Sequence, residues 1–314
     1  MQLKKFAEML GVSRATVSLA MNNSPLVAEA TKKRIQEAAK RFGYFPSPQG
    51  RALRRGRSEL LGCILPNLNN SFFATIFCGI SRKCTETGYA LLSMHVEKAT
   101  DSALPVRRML EHGVEGIIFL ASPKGDEWHK LLKQREVPAI LYDAPVMPGF
   151  PVVMSDDLSG GKMAMEHLLA RGHRHILCSA RRPARLQGNR YAAQAYPDAR
   201  IVTFDAADSV PELLGKHPEI TAVTAYSDDE AIEIMRILKK NGRRVPEDIS
   251  LIGFDNMPYS AWEEFGLTTV SQAQYHTGTV LCEELLRRIA GQQPFPECIS
   301  LPLELIERQT VRTL

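Results

Sequence analysis

Few spacings in this 314-residue chain could make or break bonds. Two acidic pairs, Asp156-Asp157 and Asp228-Asp229, invite an acid–base reading. Neighbours on a strand or loop point apart, however, and both pairs precede helical patterns whose free N–H groups attract acids. Both pairs are read as caps. Gly160-Gly161-Lys162 looks like part of a phosphate loop, but that motif needs glycine at Asp156 and Ser or Thr at Met163. His173 and His175 flank Arg174 at a strand entrance with no third ligand in view, so structural roles are expected. There is no GxSxG nucleophile elbow. Cys63, Cys78, Cys84, Cys178, Cys282 and Cys298 lack CxxC spacing, and most lie in apolar runs, so they read as reduced, buried small hydrophobes. No catalytic residue, metal or cofactor is expected.

The chemistry that remains is recognition. In the stretch Phe6 to Asn22, Phe6, Ala7 and Leu10 are spaced as one apolar face of a short helix. Gly11 suits a left-handed C-cap, and Ser13 offers an oxygen to the next helix's free N–H groups. That second helix, Arg14 to Met21, turns Val17, Ala20 and Met21 inward. Arg14, Ala15, Thr16, Ser18, Leu19 and Asn22 stay on or near the outside. Two short helices around a tight glycine turn make a helix-turn-helix, whose second helix reads the major groove. A third helix, Val27 to Phe42, is expected to bury Ile35, Ala38, Ala39 and Phe42 and to end at Gly43.

Charge points the same way. Residues 1–58 carry twelve Lys and Arg against three acids, a net +9, while the remainder carries −5. A basic head on a mildly acidic body is the electrostatic footprint of a nucleic-acid binder. From Pro46 the composition changes to PSPQGRALRRGRS, whose prolines and glycines oppose a stable isolated helix although Arg51-Ala52-Leu53-Arg54-Arg55 is good helix material. A segment ordered on meeting phosphate is expected, with Leu53 as an apolar wedge for the minor groove.

From Leu60 onward short apolar strands alternate with amphipathic helices, which predicts parallel sheets flanked by helices. Two such series predict two lobes with a cleft at the strands' carboxyl ends. The loops there hold Asn67 to Phe73, Tyr142-Asp143, Arg185, Ser227-Asp228 and Asp255-Asn256, a mixture of aromatic, amide and charged groups suited to a small polar ligand. No apolar run reaches membrane-spanning length and the first residues do not form a signal peptide, so a cytoplasmic protein with no membrane partner is expected.

The sequence resembles the LacI-type (lac repressor) family of transcription regulators. The resemblance is carried in family order by GVSRATVSLAMNNSPLV, RFGYFPSPQGRALRRGRS, LPNLNNSFF, GVEGIIF, DDLSGGKMAMEHLLARGHRHI, VPEDISLIGFDN and LTTVSQ. It implies an all-α helix-turn-helix head (residues 1–45), a hinge (46–58) and an α/β periplasmic-binding-protein-like core of two parallel-sheet lobes (59–314). Lobe 1 would span about 59–153 plus 275–296, and lobe 2 about 154–272 plus 297–314. The DNA-contacting set would be Ser13, Arg14, Ala15, Thr16, Ser18, Leu19, Asn22 and hinge residues Arg51, Ala52, Leu53 and Arg54. Arg14 and Ala15 fall at the main base-reading positions. The effector set would be Asn70, Phe72, Phe73, Asp143, Arg185, Ser227, Asp255 and Gln272. Departures include Gln2 and Ala28 at usual cap positions, Lys5 for a first-turn acid, Gly50 for a hinge alanine and a short Thr203–Val210 segment. The implied function is repression by a homodimer on a palindromic double-stranded operator, controlled by a small effector. Sugars are the family's commonest effectors and purines an exception. The end, Val311 to Leu314, has no apolar heptad tail, so no tetramer-forming coiled coil is expected. The alternative is a ligand-binding or enzymatic α/β protein with an incidental basic head.

Overall fold

The computed structural model describes residues 2–45, 56–66, 68–96, 102–292 and 296–314. The hinge residues Arg51, Ala52, Leu53 and Arg54 lie outside the described residues.

The head contains α1 (Leu3–Leu10), α2 (Arg14–Met21) and α3 (Glu29–Phe42). Gly11 ends α1 in the left-handed region at φ 64°, where a Cβ is disfavoured. The Ser13 hydroxyl then accepts the Thr16 N–H at 3.0 Å and caps α2. Gln2 and Ala28 make no side-chain cap bond. Phe6, Ala7, Val17, Ala20, Val27, Ile35, Ala39 and Tyr44 form one small core. Phe42 does not join it and is 46% exposed. Gly43, at φ 60°, turns the chain back so that Tyr44 closes the core instead, stacked on Phe6 with ring centroids 4.2 Å apart.

The body holds two sheets. The first is built from β1 (Leu60–Leu65), β2 (Ala90–His95), β3 (Gly116–Phe119), β4 (Ala139–Tyr142), β5 (Val152–Ser155) and β11 (Cys298–Leu301), in the order β11-β5-β4-β3-β1-β2, with every pairing parallel. The second is built from β6 (His175–Ser179), β7 (Arg200–Phe204), β8 (Ala222–Thr224), β9 (Ser250–Asp255), β10 (Thr268–Ser271) and β12 (Glu304–Ile306), in the order β12-β10-β9-β8-β6-β7, with only β10–β12 antiparallel. Strands such as Leu61–Leu65 are buried along their length because helices cover both faces, so they read as unbroken apolar runs. The flanking helices are α4 (Ser71–Thr87), α5 (Ala103–Glu111), α6 (Glu127–Arg135), α7 (Asp157–Ala170), α8 (Pro183–Ala193), α9 (Val210–Lys216), α10 (Asp228–Lys240) and α11 (Gln274–Ile289). Sequence patterning alone did not yield α8, α9, β5 or the two last strands.

The lobe boundary shifts from its expected position. Cys298–Leu301 pairs in parallel with Val152–Ser155, so residues 298–301 belong to the first lobe, and so do residues 154 and 155. The chain returns to the second lobe only after Pro302, where β12 meets β10. A strand's lobe is fixed by its partner, which a local pattern does not name.

Two close helix crossings set the cleft. A Cβ on Gly161 of α7 would come within 2.0 Å of the Arg185 carbonyl oxygen, and one on Gly188 of α8 within 2.0 Å of the Leu158 carbonyl oxygen. Gly161 therefore serves backbone contact, not phosphate, and that contact holds Arg185 against the first turn of α7. Gly79 and Gly278 play the same part where α4 crosses α11.

Candidate functional site

All eight residues expected at the effector site line one cavity between the lobes. Asn70, Phe72, Phe73 and Asp143 come from the first lobe, Arg185, Ser227 and Asp255 from the second, and Gln272 from the crossover after β10. The cavity measures about 100 Å³ and is also lined by Tyr142, Arg182, Tyr226 and Asp229. Its position at the carboxyl ends of β1, β4, β6, β8 and β9 is the usual ligand crevice of open parallel sheets. The short Thr203–Val210 segment contributes nothing to the lining.

On the first-lobe side, Asn70 caps α4 by accepting the Phe72 N–H at 2.9 Å. Phe72 and Phe73 meet edge to face at 5.3 Å and lean on Tyr142 at 6.2 and 6.5 Å. Asp143 follows at φ 47°, in the left-handed region that Asp enters more readily than most non-glycine residues.

The second-lobe side is an ionic array. Arg185 is nine-tenths buried, donates from Nε to Asp157 Oδ1 at 2.7 Å and from Nη1 to the Tyr226 carbonyl at 2.5 Å, and lies 3.4 Å from the centre of the Phe254 ring. Arg182 donates from Nε to the other oxygen of Asp157 at 2.6 Å and from Nη2 to Asp143. Burial pushes the Asp255 carboxyl well above the usual carboxylate range, against the pull of Arg185. Gln272 Nε2 donates to its Oδ1, and Gln274 Nε2 holds its carbonyl. A carboxyl kept toward its protonated form can donate as well as accept a hydrogen bond. Asp255, like Asp143, has positive φ, here 115°.

The acidic pairs do not behave alike. Asp156 caps α7 by accepting the Ser159 N–H at 3.0 Å, as expected. Asp157 is instead the buried partner of two arginines. At the other pair the cap is Ser227, which accepts the Glu230 N–H at 3.2 Å. Asp229 accepts from the Tyr259 hydroxyl. Asp228 is fully buried and accepts the Met257 N–H at 2.7 Å and the Thr269 hydroxyl at 2.5 Å. Local sequence missed these roles because the partners lie 25 to 41 residues away. Arg182 was not singled out from the sequence, although a local signal was there. It directly precedes Pro183, a residue type favoured at the first helical position, and so lies in a strand-to-helix loop.

Burial lifts the Asp228 carboxyl to about 6, with the Thr269 and Met257 bonds opposing. Its folded value therefore exceeds its unfolded value of about 3.9. Protonation favours the folded state, so this stabilisation is full below the unfolded value and is lost as pH rises through about 6. The two-unit shift corresponds to about 3 kcal/mol across the whole window. Thermal unfolding should show Asp228→Asn gaining on the parent between pH 5 and pH 7. An unchanged difference between the two proteins over that range would show that Asp228 does not titrate there.

His173 is structural, as expected: Nδ1 meets the Thr221 hydroxyl at 2.8 Å and Nε2 the Arg312 carbonyl at 3.1 Å. Among the described residues no cluster of His, Cys, Asp and Glu could hold a metal ion, and no helix is long and apolar enough to cross a membrane. All six cysteines are free. Cys63, Cys84, Cys178 and Cys282 are buried, whereas Cys78 and Cys298 are exposed.

The head presents a second surface. Arg14, Ala15 and Asn22 are exposed, and Thr16 and Ser18 are half-buried. The Ser13 and Thr16 hydroxyls bond each other at 2.9 Å, and Asn22 Nδ2 donates to the Ser18 carbonyl at 2.7 Å. Leu19 is half-buried against the head core, so only part of it faces outward. Lys4, Lys5, Lys33, Lys40 and Arg41 are exposed. Arg34 ties α3 to α1 by donating to the Leu10 carbonyl at 2.7 Å.

Comparison with known proteins agrees with this layout. Residues 2–47 match "Bacterial regulatory proteins, lacI family", and residues 58–309 match "Periplasmic binding proteins and sugar binding domain of LacI family". The HTH-type transcriptional repressor PurR of Aliivibrio fischeri (strain ATCC 700601 / ES114) is 30% identical over 330 residues, covering 98% of each chain. PurR of Vibrio cholerae serotype O1 (strain M66-2) is 28% identical over 336 residues, covering 99% of this chain and 98% of its own. Among solved structures, the lac repressor dimer bound to operator and the anti-inducer ONPF superposes with a TM-score of 0.86 at 24% identity over 99% of both chains, which speaks to fold. A LacI family transcriptional regulator from Enterococcus faecium with bound ribose superposes with a TM-score of 0.73 at 26% identity, over 81% of this chain and 99% of its own. The chain belongs to the LacI family of bacterial regulatory proteins.

Proposed function

We propose that this chain is a sequence-specific DNA-binding transcriptional repressor rather than an enzyme. It works in the cytoplasm as a homodimer on palindromic double-stranded DNA and answers to a small polyhydroxylated ligand, a sugar or sugar derivative, held between its lobes. The observation that carries this reading is one cavity where Arg185, Asp255 and Gln272 face Phe72, Phe73 and Tyr142, in a chain headed by a basic helix-turn-helix. A planar guanidinium donates two parallel bonds, a carboxyl accepts from hydroxyls, and aromatic rings pack on the apolar face of a sugar ring. The ribose-bound Enterococcus faecium relative supports that ligand class. In the head, Arg14 would read a guanine edge and Ala15 a thymine methyl, with Ser13, Thr16, Ser18, Leu19 and Asn22 completing the contact face. In the hinge, Leu53 beside Ala52 would wedge into the minor groove while Arg51 and Arg54 hold the backbone.

The test is selection of bound duplexes from a randomised pool by the purified full-length protein, followed by a sugar panel added to the selected complex. The expected result is a palindrome, since a twofold dimer mirrors itself in its site, with one sugar class changing its affinity. Enrichment of no sequence would overturn the repressor reading, and a palindrome indifferent to every sugar would overturn the ligand class.

A further inference from the structure

Four charges run in a line across the cleft: Asp143, Arg182, Asp157 and Arg185. Three of them belong to the second lobe. Asp157 opens α7, Arg182 immediately precedes α8, and Arg185 lies in its first turn. Only Asp143, at the end of β4, belongs to the first. The geometry points to Arg182 as a latch between the lobes, its guanidinium fork closed on Asp157 of its own lobe and Asp143 of the other. The effector must work against or replace this contact.

Several observations support this. The two arms of the fork end on carboxylates of different lobes, so Arg182 cannot keep both if the lobes separate. With the cleft closed the four charges cancel. Removing Asp143 leaves two arginines on one carboxylate, an unneutralised cation beside the cavity, which is costly where water is partly excluded. Asp157 holds the guanidinium of Arg182 in place, because its Oδ1 is already taken by Arg185 and its Oδ2 fixes Nε of Arg182. Arg182 and Asp143 are each only about one-third exposed, so the pair is less screened than a surface pair. The Asp143 carboxylate accepts from Arg182 across the cleft. Both residues line the cavity, so a ligand hydroxyl or acidic group entering there meets the latch itself. The regulatory consequence rests on the effector reading given above, whereas the latch does not.

Hydrogen–deuterium exchange of the full-length protein without any ligand separates the two. The readout segments are Ser71–Ala74 of the first lobe, whose Phe72 and Phe73 line the cleft, and Pro258–Ala261 of the second, whose Tyr259 bonds the cleft residue Asp229; neither contains Asp143 or Arg182. Asp143→Asn and Arg182→Gln should each speed exchange in both segments by about tenfold, the effect of losing one charge-assisted bond that is partly exposed. Exchange in β1 and β9 should stay unchanged, which excludes general unfolding. Asp198→Asn, which removes an ion pair with Arg174 inside the second lobe, should leave both segments unchanged. Parent-like exchange in the Asp143 and Arg182 variants would overturn the latch, as would equal acceleration by Asp198→Asn. Neither result depends on whether a sugar is the effector, which the duplex and sugar-panel experiment decides.

Discussion

Raising salt from 50 to 200 mM should weaken operator binding by about 10³- to 10⁵-fold, the range for six to ten neutralised phosphates. The twelve Lys and Arg of residues 1–58 are the source, and a dimer doubles them. Lys4, Lys5, Lys33, Lys40 and Arg41 are exposed on the head, where they can neutralise phosphates and release the cations condensed on the DNA. The body cannot supply the effect, since residues 59–314 carry a net −5. Fluorescence anisotropy on a labelled duplex at five or six salt concentrations gives the slope directly. A flat plot would mean that phosphate contacts do not hold this protein on DNA, and the basic head would need another explanation.

Arg185→Ala should cut ligand affinity by about 100-fold or more, because it removes a nine-tenths-buried guanidinium whose charge-assisted bonds are each worth roughly 1.5–3 kcal/mol. Operator affinity without ligand should change by less than about threefold, a difference well below the tenfold that 1.4 kcal/mol represents. The separation follows from geometry. Arg185 contacts Asp157, Tyr226 and Phe254, all within the second lobe, and Asp157 keeps Arg182 as a partner after the substitution. Arg185→Lys keeps the charge and loses the planar fork, so it should fall between the alanine variant and the parent. Titration calorimetry with the selected sugar and anisotropy with the selected operator measure the two quantities separately. A variant that binds sugar like the parent would remove Arg185 from the site. One that loses both activities together would make its role structural.

Much of the site was legible because it lies at strand ends. Apolar runs such as Leu60–Leu65 and Ala139–Tyr142 announce parallel strands, and the polar residues just after them, Asn70 and Asp143, must face the same edge of the sheet. Arg185 and Asp255 stood in such loops, Gln272 entered by family resemblance, and all three came to the same cavity. What local reading got wrong was the fate of charges. Asp157 and Asp228 stand where caps are common, yet the bonds that claim them come from α8, β10 and the loop after β9. Phe42 has the spacing of a core residue, but the left-handed turn at Gly43 gives that place to Tyr44.

The sequence by itself determined the division into basic head and acidic body, the bounds of α2, the alternation of strands and helices, and the family. Each of these follows from order along the chain: charge, periodicity and cap residues act within a few positions. Tertiary structure alone decided which lobe owns Cys298–Leu301, why Gly161 and Gly188 must be glycine, and that Arg182 joins Asp143 to Asp157. Those facts depend on which distant segments are brought within a few ångströms of each other, and side-chain bonds and steric limits act at that range however far apart the residues stand in the chain.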